Sequence, residues 1–395
     1  MFYQRSIAVA LDRMAKFPIV GVFGPRQSGK TTLVRNFFTK HTYLNLEDPI
    51  LRAFAAENPV NFLQQYANPH GLILDEFQYV PQILSYIQIA SDQKNQSGYF
   101  VLTGSQNFLM NQAVTQSLAG RIGILTLLPL AISEMQNNQL LDLNSNQAIL
   151  NGCYPRIYEQ AIAPADFYPS YIQSYLERDV RLLINVENLL TFQKFMQLCA
   201  ARTGQQLNIS DLATNCNISQ KTVQSWLSIL TASYIIFLLP PYFANFNKRI
   251  TKSPKLYFYD TGLACALLNL KSSEAIMLNP IRGALFETYI IADLAKQFYN
   301  AGQRPSLYFW RDLNGRIEVD GLVDLNGKLI PIEIKSGESE ITNYFKALTD
   351  WQSMTGQTEQ TGYVIYGGEH TMKRQTGILT SWLNCGEIIE KIQNS

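Results

Sequence analysis

Gly24 and Gly29 stand five positions apart in "GPRQSGKT", directly before a lysine and a hydroxyl residue. This spacing suits a loop that wraps its backbone amides around phosphates, with a helix N-terminus adding its dipole. The positions facing ATP are then Gly24, Pro25, Arg26, Gln27, Ser28, Gly29, Lys30, Thr31 and Thr32. Lys30 neutralises phosphate charge, and the Thr31 hydroxyl is placed for Mg²⁺. A second motif, "GLILDEFQYVP", runs four apolar residues into Asp75 and Glu76. Asp75 at a strand end can hold Mg²⁺ through water, and Glu76 can polarise an attacking water. "FVLTGSQNFLM" ends another apolar run on Thr103, Gly104, Ser105 and Gln106, of which Ser105 is the candidate γ-phosphate sensor. For each of these a plain turn is the other reading. Arg121, between a glycine and an apolar run, is either an arginine finger for a neighbouring subunit's ATP or a solvated strand-end residue.

A different chemistry stands near the other end. "RIEVDGLVDLNGKLIPIEIKSGE" reads as a hairpin with Asp320 closing one strand and Glu333-Ile-Lys335 closing the next. Glu333 and Lys335 are two apart and share a strand face, with Ile332 and Ile334 on the other. Glu318 lies on the face of Asp320. Arg311, in "WRD", could bind a phosphate or pair with Asp320. The same alternation also fits a half-exposed strand carrying a surface ion pair.

A third candidate is "NISDLATNCNISQKTVQSWLSIL", with the look of a helix-turn-helix. Ser210 is expected to cap its first helix and Ser219 its second, with Val223, Trp226, Leu227 and Leu230 facing inward. Gln220, Lys221, Thr222 and Gln224 then open the second helix, where DNA-binding versions read base edges. Lys248, Arg249, Lys252 and Lys255 follow in "FNKRITKSPK" and could supply phosphate contacts. Winged helices also serve as protein-docking or lid elements.

Elements to position these residues can be read along the chain. "SIAVALDRMAKF" predicts a helix and "PIVGVFG" a strand. A helix follows from about Thr31, then strand "TYLNLE" and a helical stretch, "DPILRAFAAENPVNFLQQY". Strand "GLILDEF", helix "VPQILSYIQIASDQK" and strands "GYFVLTGS" and "ILTLLPL" complete the series. Strands alternating with helices imply a parallel sheet. Residues 1–140 are expected to form this nucleotide-binding domain. Residues 141–275 read as helical, closing with two strands, "YIIFLLPPYF" and "KLYFYDTGL". Residues 276–395 open with helix "RGALFETYIIADLAKQFY" and continue with strands "LYFWRD", "EVDGLVDL", "KLIPIEIK" and "TGYVIYG".

Length and composition agree with several domains. At 395 residues the chain exceeds what one core supports. The 47% hydrophobic and 12% aromatic content marks a folded protein. A net charge of +1 gives no global attraction to nucleic acid, leaving local patches. The five cysteines are widely spread and form no metal-binding spacing, which fits a reducing cytoplasm. The most apolar run is cut by Pro240 and Pro241, so no membrane span is expected.

Taken together, "GPRQSGKTTL", "YLNLEDP", "LILDEFQYVP", "VLTGSQNFLM", "SLAGR" and "LLPLAISE" resemble bacterial and archaeal AAA-type ATPases. That family carries a C-terminal domain of unknown function resembling PD-(D/E)XK restriction nucleases. "YIQSYLERDV", "YFYDTGL", "GALFETYI" and "EVDGLVDLNGKLIPIEIKSG" resemble the same family, so the likeness covers nearly the whole chain. It implies a multidomain α/β protein: a P-loop α/β/α sandwich, a helical and winged-helix middle, and a restriction-nuclease-like α/β end. It also maps Glu287, Asp320, Glu333 and Lys335 onto the nuclease constellation, with Asp320 and Glu333 as Mg²⁺ ligands and Lys335 stabilising phosphate charge. The function expected is an ATP-hydrolysing switch whose nucleotide state repositions a DNA-facing winged helix and a nuclease-like domain, with oligomerisation through Arg121. The alternative is a regulatory or chaperone-like ATPase whose nuclease-like domain binds protein and is catalytically silent.

Overall fold

A computed structural model describes residues 3–105, 118–176, 189–243, 252–312, 314–325, 327–339, 342–357 and 361–393. By contacts the chain divides into two compact units. The first holds Met1–Leu130 with Ala232–Tyr234 and Tyr299–Gln303, and the second holds the remainder.

Unit 1 is built on five strands: β1 (Ile19–Phe23), β2 (Thr42–Asn45), β3 (Leu72–Asp75), β4 (Phe100–Gly104) and β5 (Ile122–Thr126). They pair in parallel in the order β2-β3-β4-β1-β5. Alternate residues of each strand feed opposite cores. Ile19, Phe23, Leu72, Leu74, Phe100 and Leu102 enter one, and Val20, Val22, Ile73 and Val101 the other. Both faces are covered by helices, which is why these strands read as unbroken apolar runs. Helices α1 (Ala8–Met14) and α2 (Lys30–Phe37) cover one face; α3 (Pro49–Glu57), α4 (Pro59–Gln65) and α5 (Ile83–Lys94) cover the other.

Two expectations are refined here. The helical stretch expected over residues 48–66 forms two helices, divided at Asn58, whose φ of −142° is non-helical and whose side chain caps α4. Pro59 causes this, since it lacks an amide donor and pushes the preceding residue out of the helical region. The fifth strand covers Ile122–Thr126, so the more apolar "LLPL" lies beyond it.

In unit 2, α6 (Leu189–Ala201), α7 (Ile209–Cys216) and α8 (Gln220–Ala232) precede an antiparallel pair, β6 (Ile236–Leu239) and β7 (Lys255–Phe258). Phe192 and Phe195 of α6 pack edge-on against Trp226 of α8, with ring centroids 5.1 and 5.2 Å apart. Val223, Trp226, Leu227 and Leu230 are buried as expected, and the Ser219 hydroxyl accepts from the Thr222 amide at 3.0 Å. The cap of α7 is Asn208, which accepts from the Asp211 amide; Ser210 donates its hydroxyl to Asn208 instead.

Helix α9 (Arg282–Asn300) leads into a six-stranded mixed sheet of β8 (Leu307–Arg311), β9 (Glu318–Leu325), β10 (Lys328–Lys335), β11 (Tyr363–Tyr366), β12 (Met372–Arg374) and β13 (Gly377–Ser381). Its order is β12-β13-β11-β10-β9-β8. The hairpin expected between Asp320 and Glu333 is β9–β10. Strands β12 and β13 and helix α10 (Lys346–Thr355) extend the fold beyond the strands legible in the sequence. Trp351 and Leu348 of α10 pack against Val319, Leu322, Val364 and Leu379. All five cysteines are buried and free. Among the described residues no helix is long and apolar enough to cross a membrane.

Candidate nucleotide site and carboxylate–lysine cluster

The loop from Gly24 to Gly29 leaves the carboxyl end of β1 and enters α2. Gly24 (φ 154°), Gln27 (φ 61°) and Gly29 (φ 94°) all have positive φ, which turns successive amides inward. Gly24 also allows a close approach: a Cβ there would collide with the Leu127 carbonyl oxygen. The Lys30 ammonium folds back onto the loop and donates to the carbonyls of Gly24 (3.1 Å) and Pro25 (2.8 Å). Ser28 is buried, and Thr32 sits one position past Thr31 on α2. Arg26 lies 3.7 Å from Glu47.

Asp75 ends β3, two strands away from β1, and its carboxylate is held by three hydroxyls. Thr31 and Tyr43 each donate to Oδ2 at 2.7 Å, and Thr103 donates to Oδ1. A loop hydroxyl beside a strand-end carboxylate is the donor chemistry that nucleotide-bound Mg²⁺ requires, so these residues fit that ion. Burial, then the Asp75 bond, raises the Tyr43 phenol well above its usual range. Glu76 adopts the left-handed conformation (φ 54°), uncommon for a non-glycine residue. Its carboxylate accepts from Gln78, whose amide nitrogen also lies 3.3 Å from Ser105 Oγ. The two candidates for organising water and sensing phosphate are thus joined through one side chain.

Arg5 is the other unforeseen member. It is buried, and its guanidinium donates to the Ser28 carbonyl (2.8 Å) and the Leu128 carbonyl (2.7 Å), tying the loop to the segment after β5. Arg121 lies elsewhere. Its carbonyl accepts from the Ile19 amide, at the amino end of β1, while the phosphate loop leaves the carboxyl end. The strand separates them by roughly 16 Å at ~3.3 Å per residue. Arg121 forms a two-pronged ion pair with Asp92 at 2.6 and 2.9 Å.

In unit 2, α9, β7, β9 and β10 bring charged groups together. Glu333 is buried, and its Oε1 receives the Lys335 ammonium at 2.5 Å; its Oε2 is buried with no hydrogen-bond partner. Asp320 Oδ2 accepts from the Ile334 amide at 2.8 Å. Glu287 accepts from the Tyr257 hydroxyl and from the Lys255 ammonium, the latter at 3.1 Å. Lys255, only 3% exposed, also reaches Glu318 at 2.6 Å.

The four residues expected to converge do share one electrostatic environment. Burial, then the Asp320 charge, pushes Glu333 up to about 8 and Glu287 up to about 7. Burial likewise raises Asp320. Burial alone would lower Lys255, but Glu287, Asp320 and Glu318 outweigh it and raise that ammonium. Their arrangement does not fit a divalent cation. Among the described residues, no three carboxylate, histidine or cysteine side chains are placed to hold a metal ion, and an ammonium already bridges Glu287 and Glu318.

Two further readings are corrected. Lys255 is turned inward onto acids, so it is no phosphate contact for DNA. Arg311 pairs with Glu318 at 3.4 Å and Gln206 at 3.1 Å, not with Asp320. Gln220, Lys221 and Gln224 are exposed at the start of α8, while Thr222 is part-buried and bonds Ser219. Lys248 and Arg249, and Gln106, lie outside the described residues.

Signals for the residues that were missed are thin. Tyr43 lies on β2, the strand paired with β3, but the register sets it opposite Ile73 and Asn45 opposite Asp75, so only the length of the phenol side chain carries its hydroxyl to the carboxylate. Gln78 follows Glu76 by two. Lys255 and Arg5 reach their partners only through tertiary structure.

Comparison with known proteins covers most of the chain. A family model described as an AAA domain matches residues 16–136. Two described as domains of unknown function, DUF8612 and DUF4143, match residues 143–274 and 282–385. Uncharacterized proteins of Mycobacterium bovis and Mycobacterium tuberculosis are each 30% identical over 382 residues, 94% of this chain and 81% of theirs. Among solved structures, a Walker-type ATPase of Pyrococcus abyssi is 15% identical, over 68% of this chain and 96% of that one, with a TM-score of 0.46. RuvB of Thermotoga maritima is 14% identical, over 59% and 87%, with a TM-score of 0.28. Scores this low carry no argument about function. On sequence, the chain belongs to the same family as the two mycobacterial proteins, with an AAA domain of the P-loop kind at its amino-terminal end.

Proposed function

We propose that this protein binds Mg-ATP at the Gly24–Thr32 loop and hydrolyses it. The observation that supports this most is the Thr31 hydroxyl bonded to Asp75 at 2.7 Å, at the edge of the sheet where the loop leaves β1. Thr31 and Asp75 would hold Mg²⁺, which offsets charge on the β- and γ-phosphates when bound. Lys30 exchanges its loop carbonyls for phosphate oxygens. Glu76 released from Gln78 orients and polarises the attacking water, and Ser105 reads the γ-phosphate. Arg121, remote from its own loop, would serve a neighbouring subunit's ATP once freed from Asp92.

The nucleotide state would reposition the middle part of the chain, a winged-helix segment whose Gln220, Lys221 and Gln224 face DNA. The carboxyl-terminal part would be nuclease-like in descent. The lysine bridging Glu287 and Glu318 favours a second reading, in which that edge is catalytically silent as arranged and serves binding.

The test measures ATP hydrolysis, DNA binding across a salt series and DNA cleavage in parallel, for the wild type, Lys30→Ala and Glu76→Gln. Hydrolysis lost in both variants, with nucleotide binding kept in Glu76→Gln, is the expected result. Hydrolysis unchanged in Glu76→Gln would sink its assignment. Steep salt dependence of DNA binding indicates phosphate contacts, and no binding at low salt favours a protein partner.

A further inference from the structure

We propose that Arg26 supplies, from within its own chain, the positive charge that offsets charge growing on the γ-phosphate, and that Glu47 holds it until nucleotide arrives. This rests on reading the Gly24–Thr32 loop as the Mg-ATP site, and it adds to that site a residue that tells ATP from ADP.

Three observations support it. First, Arg26 is on the loop itself, between Gly24 (φ 154°) and Gln27 (φ 61°), in the stretch whose amides turn inward. Its side chain is only 12% exposed, so the guanidinium is kept against the protein and not extended into water.

Second, its partner stands at the Asp75 edge of the sheet. Asn45, the last residue of β2, is opposite Asp75, and the Leu46 amide donates to the Asp75 carbonyl at 3.0 Å. Glu47 is the next residue. Its carboxylate lies 3.7 Å from Arg26 and accepts from the Tyr79 hydroxyl at 3.5 Å. The arginine is therefore held at the end of the sheet where Thr31 meets Asp75.

Third, the hold is weak. The contact is long and Glu47 is 46% exposed, so water screens the pair and it contributes little. Phosphate oxygens are better acceptors for a planar guanidinium, which meets them with two parallel hydrogen bonds. Lys30 follows the same pattern, resting on loop carbonyls at 3.1 and 2.8 Å that phosphates would replace.

Charge gives the arginine its role. Mg²⁺ and Lys30 together leave one negative charge of a fully ionised triphosphate uncompensated, and leave none on a diphosphate. Arg26 matches that excess. In hydrolysis the water oxygen bonds to the γ-phosphorus as the bond from that phosphorus to the β–γ bridging oxygen breaks. The electron pair leaves with ADP, and the water proton passes to Glu76. Arg26 donates to the γ-phosphate oxygens during this step, where preorganised donors act most strongly. Rotation of its own side chain is all that brings it there. Arg121, paired with Asp92 at the other end of β1, has no such access within one chain.

The experiment compares the full chain as wild type, Arg26→Ala, Arg26→Lys, Glu47→Gln and Arg121→Ala. It reads single-turnover ATP hydrolysis and the affinity for Mg-ADP with and without aluminium fluoride, a mimic of the transferring phosphoryl group. The expected result is that Arg26→Ala lowers hydrolysis by ~10³-fold, keeps Mg-ADP binding and loses the tighter binding with aluminium fluoride. Retained Mg-ADP binding shows that this variant is folded. Arg26→Lys falls between, with the charge but not the planar fork. Glu47→Gln hydrolyses at least as fast as the wild type. Mixing Arg26→Ala with Lys30→Ala restores nothing, because each arginine serves its own chain.

Wild-type hydrolysis in Arg26→Ala overturns the inference, and loss in Arg121→Ala would then assign the role to a neighbour's arginine. Mg-ADP binding lost in Arg26→Ala, or hydrolysis lost equally in Glu47→Gln, overturns it by making the pair a brace for the loop. Recovery in the mixture moves Arg26 to a neighbour's site and overturns it too. If the wild type binds no Mg-ATP, the nucleotide reading itself fails and takes the inference with it.

Discussion

The Tyr43 phenol lies 2.7 Å from Asp75 Oδ2, the same oxygen that receives the Thr31 hydroxyl. Asp75 is thus held from a neighbouring strand as well as from the phosphate loop before any nucleotide arrives. Tyr43→Phe removes one hydrogen bond to a buried carboxylate and should destabilise the nucleotide-free protein by about 1.5–3 kcal/mol. Urea unfolding checks this. Repeating it in Mg-ATP should show a smaller difference, because the bound ion then restrains Asp75.

Glu76 and Ser105 meet through Gln78, and this predicts a division of effects. Glu76→Gln should lower turnover by ~10²–10⁴-fold, the range for loss of a general base, while nucleotide still binds. Gln78→Ala should leave binding intact and change turnover less, since it removes only the side chain that holds Glu76 in place. Single-turnover hydrolysis set against equilibrium binding of a fluorescent nucleotide separates the two.

Gly24→Ala tests the loop's geometry. The substitution forces a Cβ against the Leu127 carbonyl at a φ of 154°. It should destabilise unit 1 by about 1–3 kcal/mol and abolish nucleotide binding, whereas Gly283→Ala, with nothing near its Cβ and no left-handed φ, should keep binding. Thermal unfolding with and without Mg-ATP reads both effects.

Stability should also depend on pH through the carboxylate cluster. Glu333 and Glu287 are raised from 4.5 to about 8 and about 7, so the folded protein keeps protons that the unfolded chain has lost. Their contribution is fully present below pH 4.5 and is lost as pH rises through 7 to 8. The urea midpoint of the wild type should therefore fall across that window. In Glu333→Gln the fall should be shallower, and the difference between the two curves isolates this residue.

How far the sequence could be read depended on how local each determinant was. Lys30, Thr31 and their glycines lie within one turn of chain, so their spacing alone specifies the loop. Asp75 and Glu76 end an apolar run whose length marks the strand edge. The Glu333–Lys335 pair follows from the two-residue repeat of a strand. Lys255 was the opposite case. Its sequence neighbours are basic, which pointed toward DNA, but its partners Glu287 and Glu318 lie on a distant helix and strand. Strand periodicity says which way a side chain faces and nothing about what stands opposite. Arg5 reaches the Leu128 carbonyl across 123 positions for the same reason. The break at Asn58 was legible in principle, because Pro59 dictates it.

The buried thiols have a practical consequence for following this protein in motion. Each of the five cysteines is enclosed, and burial holds the Cys153 and Cys385 thiols above their ordinary range, with Cys153 at about 12. Only the thiolate reacts with maleimides, so the native side chains should remain inert under labelling conditions. A cysteine introduced at exposed Lys221, with a second at exposed Glu57, could carry a dye pair without first stripping the natural ones. The chain comes equipped for single-molecule distance measurements with and without added Mg-ATP.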